Sequence, residues 1–188
     1  MRFDPKTFMI IHMRRRGFTI VELVIVITIM AIMLTLGVVN LRGSQANGRD
    51  TERKTDIESI AQHLETYYTS GTDSSTDVGG YPSTLITASQ SAMTTALRDV
   101  DTDSLMAPGV SDPMSTFIPA TDTTPPGLAQ PTTTATIVPQ PTKDQYVYQP
   151  LHSDGTLCTD NTAECRKFNL YYRLEVNNTV NMVTSLNQ

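Results

Sequence analysis

The stretch RRRGFTIVELVIVI, residues 14–27, decides how the N-terminal part of this chain folds. It opens an apolar run at residues 18–39 that contains one charged residue, Glu22. As an α-helix, this run would be about 33 Å long, which matches the hydrocarbon core of a bilayer. Three arginines directly precede it, so the positive-inside rule predicts a cytoplasmic N-terminus and export of the residues that follow.

The charge of the chain is unevenly distributed. Its formal net charge is -5, whereas residues 1–17 hold five basic residues and one acidic residue. The remainder is therefore strongly acidic, which argues against nucleic-acid binding because phosphate contacts need a basic face. With no Trp and only 5 Phe, the exported part can bury only a small core.

Glu22 is an unusual residue for a membrane helix. A carboxylate at the centre of such a helix costs about 2.5–3.5 kcal/mol, and less toward the interface. The run contains no Lys or Arg, and the next one along the chain is Arg42. We therefore expect a cationic partner from another molecule. If the chain were cleaved between Gly17 and Phe18, the new α-amino group of one copy could neutralise Glu22 of a neighbour in a staggered stack.

Two common segments compete with this interpretation. A cleaved secretory signal has an apolar stretch of ~7–15 residues and ends in a small-residue cleavage site. The run here is longer and ends in no such site. An ordinary signal anchor fits the length but leaves Glu22 unexplained.

The motif RRRG followed by FTIVELVIVI resembles the class III signal of type IV pilins and type II secretion pseudopilins. The resemblance implies that a prepilin peptidase cleaves after Gly17 and methylates the new N-terminal Phe18. It also implies that Glu22 forms the assembly charge pair. The implied partners are that peptidase, further copies and other pilins, and an assembly platform in the membrane. The family is structural, so neither enzymatic activity nor a cofactor is expected.

The resemblance implies an α+β, pilin-like fold in which a long N-terminal helix packs on a small antiparallel β-sheet. We expect a leader peptide at residues 1–17, a transmembrane and filament-core helix at 18–39, an amphipathic continuation at 40–70 and a globular head at 71–188. In the continuation, apolar residues recur at helical spacing, and Gly71 is a plausible stop signal. The stripe comprises Ile57, Ile60, Ala61, Leu64 and Tyr67 or Tyr68; the charged residues Glu52, Arg53, Lys54 and Asp56 are assigned to the opposite face.

In the head, GGYPSTL at residues 79–85 and SLMAPGVSDPMS at 104–115 resemble loops of pseudopilins. We expect a short helix at 83–98 and C-terminal strands within 145–186, at 145–150, 167–176 and 180–186. Asn177 and Asn178 suggest a two-residue hairpin turn between the last two strands. The Pro/Thr-rich loop at 116–145 is expected to form neither helix nor sheet, because proline removes donors and fixes φ.

Two cysteines, Cys158 and Cys165, are close enough in sequence to close a small loop. If they lie outside the cytoplasm, a disulfide is the natural interpretation, and two reduced thiols are the alternative. Because pseudopilins can bind calcium in a C-terminal loop, Asp154, Asp160 and Glu164 near these cysteines form a weak calcium hypothesis.

Other motifs for chemistry are missing from the sequence. The three histidines show no metal spacing, and we find neither a Gly-rich phosphate loop nor a nucleophile elbow. Asp99, Asp101 and Asp103 mimic the opening of a calcium loop, but Ser104 and Val110 occupy the positions that require Gly and Glu.

The favoured function is therefore a structural subunit of a type IV pilus-like filament that serves adhesion, motility or DNA uptake. A pseudopilin of a type II secretion system is the first alternative, and a membrane-tethered binding module that does not polymerise is the second. In the first two cases, the chain passes from a single-pass inner or plasma membrane location into an extracellular or periplasmic filament.

Overall fold

The computed structural model describes residues 17–71, 78–122, 137–160 and 164–187. It contains two compact units, Met1–Arg42 and Gly43–Gln188. Of the predicted leader peptide, only Gly17 is among the described residues. Both core clusters, and all the strands, belong to the second unit.

Helix α1 runs from Ile20 to Ser70 without interruption. Among the described residues, it is the one helix that is long and apolar enough to cross a membrane, a test that a signal sequence also passes. It ends where the sequence predicts. Gly71 has a φ of 62°, and its N–H donates to the carbonyl of Tyr67 at 2.7 Å, which is a left-handed helix end that favours glycine.

Within the second unit, α1 buries the predicted apolar stripe, since Ile57, Ile60 and Leu64 are fully buried. The assignment of the charged residues to the opposite face is wrong for Arg53 and Asp56, which are buried as well. Arg53 lies four residues before Ile57 and therefore on the same side of the helix. It pairs with Asp50 on the same helix, but its other partners, the carbonyl of Lys143 and the carboxylate of Glu175, are distant in sequence, and helical periodicity does not reveal them.

The sheet has four strands in the order β1-β2-β3-β4. These are β1 (Phe117–Pro119), β2 (Tyr146–Leu151), β3 (Lys167–Arg173) and β4 (Val180–Thr184). The pairs β2–β3 and β3–β4 are antiparallel, whereas β1 pairs with β2 in parallel. The α+β class is thus confirmed, but the sheet is mixed rather than antiparallel, because a strand from the Pro/Thr-rich segment joins its edge.

That edge strand corrects the prediction that residues 116–145 form no regular structure. Helix α3 (Pro113–Thr116) begins at the cap Asp112, whose carboxylate accepts from the N–H of Met114 at 3.0 Å, and β1 follows directly. Proline is tolerated in β1 because an edge strand has one side free of ladder bonds. Ile137 is also buried, although residues 123–136 of the segment lie outside the described residues.

The predicted helix at residues 83–98 is two pieces. A 3₁₀-helix spans Thr84–Ala88, and α2 spans Gln90–Ala96. Ser89 separates them in an extended conformation, and its hydroxyl accepts from the N–H of Ala92 at 3.1 Å. Serine favours this N-cap role over a helix interior. A further 3₁₀-helix spans Thr102–Leu105.

Alternate residues of β2 and β3 enter two separate clusters, as the period of a strand requires. The larger cluster, between the sheet and α1, contains Tyr146, Tyr148, Phe168, Leu170 and Tyr172 with the helix stripe. The smaller cluster, on the opposite face, contains Val147, Tyr171, Val180, Ala120 and Ile137. Both faces of the central strands are consequently buried.

The turn between β3 and β4 is longer than predicted. The last strand pair is Arg173 with Val180, and the N–H of Leu174 donates to the carbonyl of Thr179 at 2.9 Å. Four residues, 175–178, therefore form the turn, rather than Asn177 and Asn178 alone. Its contacts with α1 explain the extra length.

Candidate assembly site

The start of α1 is built by Thr19. Its hydroxyl accepts from the N–H of Glu22 at 3.2 Å, and its carbonyl accepts from the N–H of Leu23 at 3.2 Å. Thr19 is thus the N-cap, and the spacing Thr-x-x-Glu is that of a capping box. This local pattern is readable in the sequence alone.

The predicted processing and assembly residues lie together at this helix start. Gly17 and Phe18 precede α1, and the Phe18 side chain is 83% exposed. Glu22 lies in the first turn, where the partial positive charge of the helix N-terminus favours a carboxylate. Among the described residues, no Lys or Arg lies within ion-pair distance of Glu22.

The part of α1 that follows Glu22, as far as Leu41, has an apolar surface on which the described threonine hydroxyls are hydrogen-bonded. Its large apolar side chains from Phe18 to Leu41 are exposed wherever they are described. The hydroxyl of Thr28 donates to the carbonyls of Val24 and Ile25, and that of Thr35 donates to the carbonyl of Ile32 at 2.7 Å. Such back-bonding satisfies a hydroxyl inside an apolar medium, which leaves Glu22 as the one charged side chain at positions 18–38.

In the second unit, a buried ionic cluster holds α1 against the β3–β4 turn. Asp50 accepts from the N–H groups of Glu175 and Val176 at 2.7 Å and 3.0 Å. It also accepts from Nη1 of Arg53 at 2.8 Å. Arg53, which is 1% exposed, donates through Nε to the carbonyl of Lys143 at 2.8 Å.

Arg49 completes this cluster with a bidentate pair. Its Nε and Nη2 donate to the two carboxylate oxygens of Glu175 at 2.8 Å and 2.6 Å. These hydrogen bonds lower the pKa of Glu175 to about 2. Charge-assisted, bidentate geometry is the strongest form of such a contact, so the turn is fixed to the helix.

The pKa of Asp56 is shifted in the opposite direction to that of Glu175. Burial raises the pKa of this carboxyl to about 6, although the hydroxyl of Tyr146, which donates to it at 2.9 Å, acts in the other direction. Glu52 and Asp101 add repulsion, and Arg53 lowers the pKa only in part. The charged form of Asp56 is therefore disfavoured in the folded chain.

Cys158 and Cys165 are joined by a disulfide, with Cα atoms 5.8 Å apart. The carbonyl of Cys158 accepts from the N–H of Thr84 at 3.0 Å, and the carbonyl of Cys165 accepts from the N–H of Tyr81 at 2.7 Å. The small disulfide loop thus holds residues 81–84 against the end of the β2–β3 hairpin.

The end of the chain is attached to α1 through Glu65. Its carboxylate accepts from the hydroxyl of Tyr81 at 2.8 Å, from the N–H of Leu186 at 2.8 Å and from the side-chain amide of Asn187 at 2.9 Å. The Tyr-Pro segment that resembles a pseudopilin loop is therefore a junction between helix, disulfide loop and C-terminal segment.

The described residues give the weak calcium hypothesis no geometric support. The carboxylate of Asp154 accepts from the N–H and hydroxyl of Thr156 at 2.9 Å and 2.6 Å, and Glu164 pairs with Arg166. In the described ranges, no group of three His, Cys, Asp or Glu side chains, including Asp160, is placed to hold a metal ion. The calcium site stays an untested prediction.

Comparison with known families gives one match. Residues 12–38 match the prokaryotic N-terminal methylation motif. The matched segment includes the arginine triplet, Gly17, Phe18 and Glu22, and it extends through the exposed apolar part of α1. Comparison with curated proteins and with solved structures gives no match.

Proposed function

We propose, on the premise that residues 12–38 carry the prepilin signal of type IV pilins and pseudopilins, that this chain is the precursor of a filament subunit. The observation that carries the proposal is the combination of this motif with a continuous α1 whose apolar side chains are exposed. A polymer would bury those side chains against neighbouring helices, in place of the lipid contacts that they leave.

The proposed processing follows from the position of Gly17. A prepilin peptidase cuts the bond between Gly17 and Phe18 and methylates the new terminal nitrogen of Phe18. The cut removes the basic leader at residues 1–17 and leaves a secondary ammonium close to the N-cap of α1. Thr19 lies one residue after Phe18 and three residues before Glu22, so the cap, the carboxylate and the new cation lie at the same helix end.

The proposed assembly contact is an ion pair between copies. Glu22 of one copy accepts the Phe18 ammonium of its neighbour in a staggered stack. The dipole of the helix lowers the cost of the Glu22 charge by only ~0.3–1 kcal/mol, whereas a carboxylate at the centre of a membrane helix costs about 2.5–3.5 kcal/mol. A counter-charge from a second copy therefore has a clear energetic role.

The proposed location after export is a single-pass membrane protein whose second unit lies outside the cytoplasm, followed by an extracellular or periplasmic filament. The disulfide between Cys158 and Cys165 supports an oxidising compartment. The expected partners are the prepilin peptidase, other pilins and a membrane assembly platform.

We favour the type IV pilus-like filament, which would serve adhesion, motility or DNA uptake. The second candidate is a type II secretion pseudopilin, which the Tyr81–Pro82 junction favours through its resemblance to the loops of that group. A chain that is tethered and binds a ligand without polymerising is the third possibility.

Mass spectrometry of the protein isolated from its own cells tests the processing step. We expect a mature chain that begins with methylated Phe18, together with electron micrographs of sheared surface filaments that contain its peptides. Retention of residues 1–17 in the mature protein, without filaments that contain its peptides, would refute the filament proposal and favour the tether. Retention of residues 1–17 inside assembled filaments would refute the ion pair between Phe18 and Glu22. Processed subunits that support protein secretion without surface filaments would select the pseudopilin.

A further inference from the structure

The turn between β3 and β4 contains a pattern that the filament function does not use. Asn177-Asn178-Thr179 has the form Asn-x-Thr, which is the acceptor pattern for N-linked glycosylation. No other asparagine in the sequence is followed two positions later by Ser or Thr. Residues 176–178 are exposed, so the pattern lies on the surface.

The geometry of the turn explains Asn178 but not Asn177. Asn178 has a φ of 51°, a left-handed conformation that asparagine tolerates better than most residues. Its Oδ1 also accepts from Nη1 of Arg173 at 3.1 Å. Asn177 does not share the positive φ, and its side-chain amide makes no hydrogen bond to the residues that the structure describes. Folding alone gives Asn177 no function.

The hydroxyl of Thr179 is also free for the acceptor role among the described residues. Its carbonyl accepts from the N–H of Leu174 at 2.9 Å, but its hydroxyl makes no hydrogen bond within the described part of the chain. Many other threonine hydroxyls donate to backbone carbonyls, as those of Thr51 and Thr87 do at 2.9 Å and 2.8 Å. The two groups that the acceptor pattern requires, the Asn177 amide and the Thr179 hydroxyl, thus both lack a hydrogen-bond partner among the described residues.

The remainder of the turn is held from its inner side. Asp50 accepts from the N–H groups of Glu175 and Val176, and Arg49 pairs with the Glu175 carboxylate. A group attached at Asn177 would therefore extend into solvent without displacing α1. It would also lie beside Val176, an apolar side chain that is 48% exposed.

We propose that Asn177 is an N-glycosylation site. The co-substrate is an oligosaccharide carried on an isoprenoid lipid through a phosphate or pyrophosphate. The side-chain nitrogen of Asn177 forms a bond to the anomeric carbon of the first sugar, and the bond from that carbon to the phosphate oxygen breaks. The lipid phosphate leaves with the bonding electron pair, and the amide loses one of its two protons.

This inference depends on the proposed export of the second unit, because the lipid-linked donor is used outside the cytoplasm. It does not depend on polymerisation. Glycosylation and filament formation can therefore fail separately.

The test uses the full chain produced in its own cells and purified from membranes and from sheared filaments. Trypsin releases residues 174–188 as one peptide, since Arg173 is the last basic residue. Mass spectrometry with electron-transfer fragmentation then weighs this peptide and localises any sugar. The variants are Asn177→Gln, Thr179→Val and Thr179→Ser, with Asn181→Gln as a matched control in the same peptide.

We expect the wild-type peptide to be heavier than its sequence by a whole number of sugar residues, with the added mass on Asn177. The added mass disappears in Asn177→Gln and Thr179→Val and persists in Thr179→Ser and Asn181→Gln. An unmodified Asn177 in chains whose Phe18 is methylated would overturn the glycosylation site and leave the filament intact. A sugar on Asn177 in chains that retain residues 1–17 would support the site and refute the filament.

Discussion

Removing the carboxylate of Asp50 should destabilise the second unit more than any other single change at an ionic residue. Asp50 accepts three hydrogen bonds, from Arg53 at 2.8 Å, from the N–H of Glu175 at 2.7 Å and from the N–H of Val176 at 3.0 Å. In Asp50→Ala, two turn N–H groups lose their acceptor, and the guanidinium of Arg53, which is 1% exposed, loses its nearest carboxylate and keeps the Lys143 carbonyl and the longer contact with Glu175. The expected loss is ~3–5 kcal/mol, the typical result of removing one partner of a buried ion pair.

The matched control is Glu52→Ala, two positions away and exposed. Changes at such surface sites usually stay within about 0.5 kcal/mol. The assay is urea unfolding of Gly43–Gln188 with its disulfide intact, a unit that contains both core clusters. With an m-value of roughly 2 kcal/mol/M, Asp50→Ala should lower the urea midpoint by ~1.5–2.5 M. Asp50→Asn, which keeps an acceptor oxygen, should lower it less.

A double variant identifies the source of the loss. If the guanidinium that has lost Asp50 is responsible, Asp50→Ala combined with Arg53→Met should be more stable than Asp50→Ala alone, because the buried charge is then absent. A loss below ~1 kcal/mol in Asp50→Ala, or an equal loss in Glu52→Ala, would refute the view that this buried ionic cluster holds the turn to α1.

Three further predictions concern the helix start, the buried carboxyl and the disulfide. Glu22→Ala should leave membrane insertion intact but reduce incorporation into filaments at least tenfold, whereas the control Thr28→Ala should assemble normally. Quantitative immunoblots of sheared material measure the incorporation, and equal filament yields of the two variants would contradict the ion pair. Because burial raises the folded-state pKa of Asp56 to about 6 from an ordinary 3.8, its protonated form stabilises the fold below pH 4, and this contribution declines as the pH rises through 6. The free energy of unfolding of Asp56→Asn, measured relative to that of the wild type, should therefore be ~1–3 kcal/mol higher at pH 8 than at pH 4. Urea titrations of both proteins at the two pH values measure it, and the same difference between the proteins at both pH values would contradict the prediction. Reduction of the Cys158–Cys165 disulfide should lower the free energy of unfolding by ~2–3 kcal/mol. A Cys158→Ala/Cys165→Ala variant should be as stable as the reduced protein, and reductant should not change its stability. An unchanged urea midpoint of the wild type on reduction would show that hydrogen bonds alone hold residues 81–84.

The helix and the N-terminal methylation motif were predictable because their determinants are local. The apolar run, Gly17, Phe18 and Glu22 lie within one short segment, and Gly71 ends α1 as expected. The stripe of Ile57, Ile60 and Leu64 follows from helical spacing alone. The N-cap Thr19, which was not among the predictions, is also local and follows from the Thr-x-x-Glu pattern.

The errors arose where a contact joins distant parts of the chain. Phe117–Pro119 forms a strand because β2, almost thirty residues later, offers it a parallel partner. The turn after β3 is four residues long because Asp50 and Arg49 bind it from α1. One error is local: Ser89 divides the expected helix at 83–98 because its hydroxyl caps α2 three residues later.

The sequence by itself determined the long apolar helix, its end at Gly71, the acidic character of the second unit and the N-terminal methylation motif, since each depends on neighbouring residues. The tertiary structure alone decided that Arg53, Asp50 and Asp56 are buried and that the sheet is mixed. It also decided that the side-chain amide of Asn177 has no hydrogen-bond partner among the described residues. The physical reason is that a buried charge needs polar partners. Asp50, Arg53 and Asp56 meet theirs partly on the β3–β4 turn, at Lys143 and at Tyr146, and helical or strand periodicity carries no information about those distant partners.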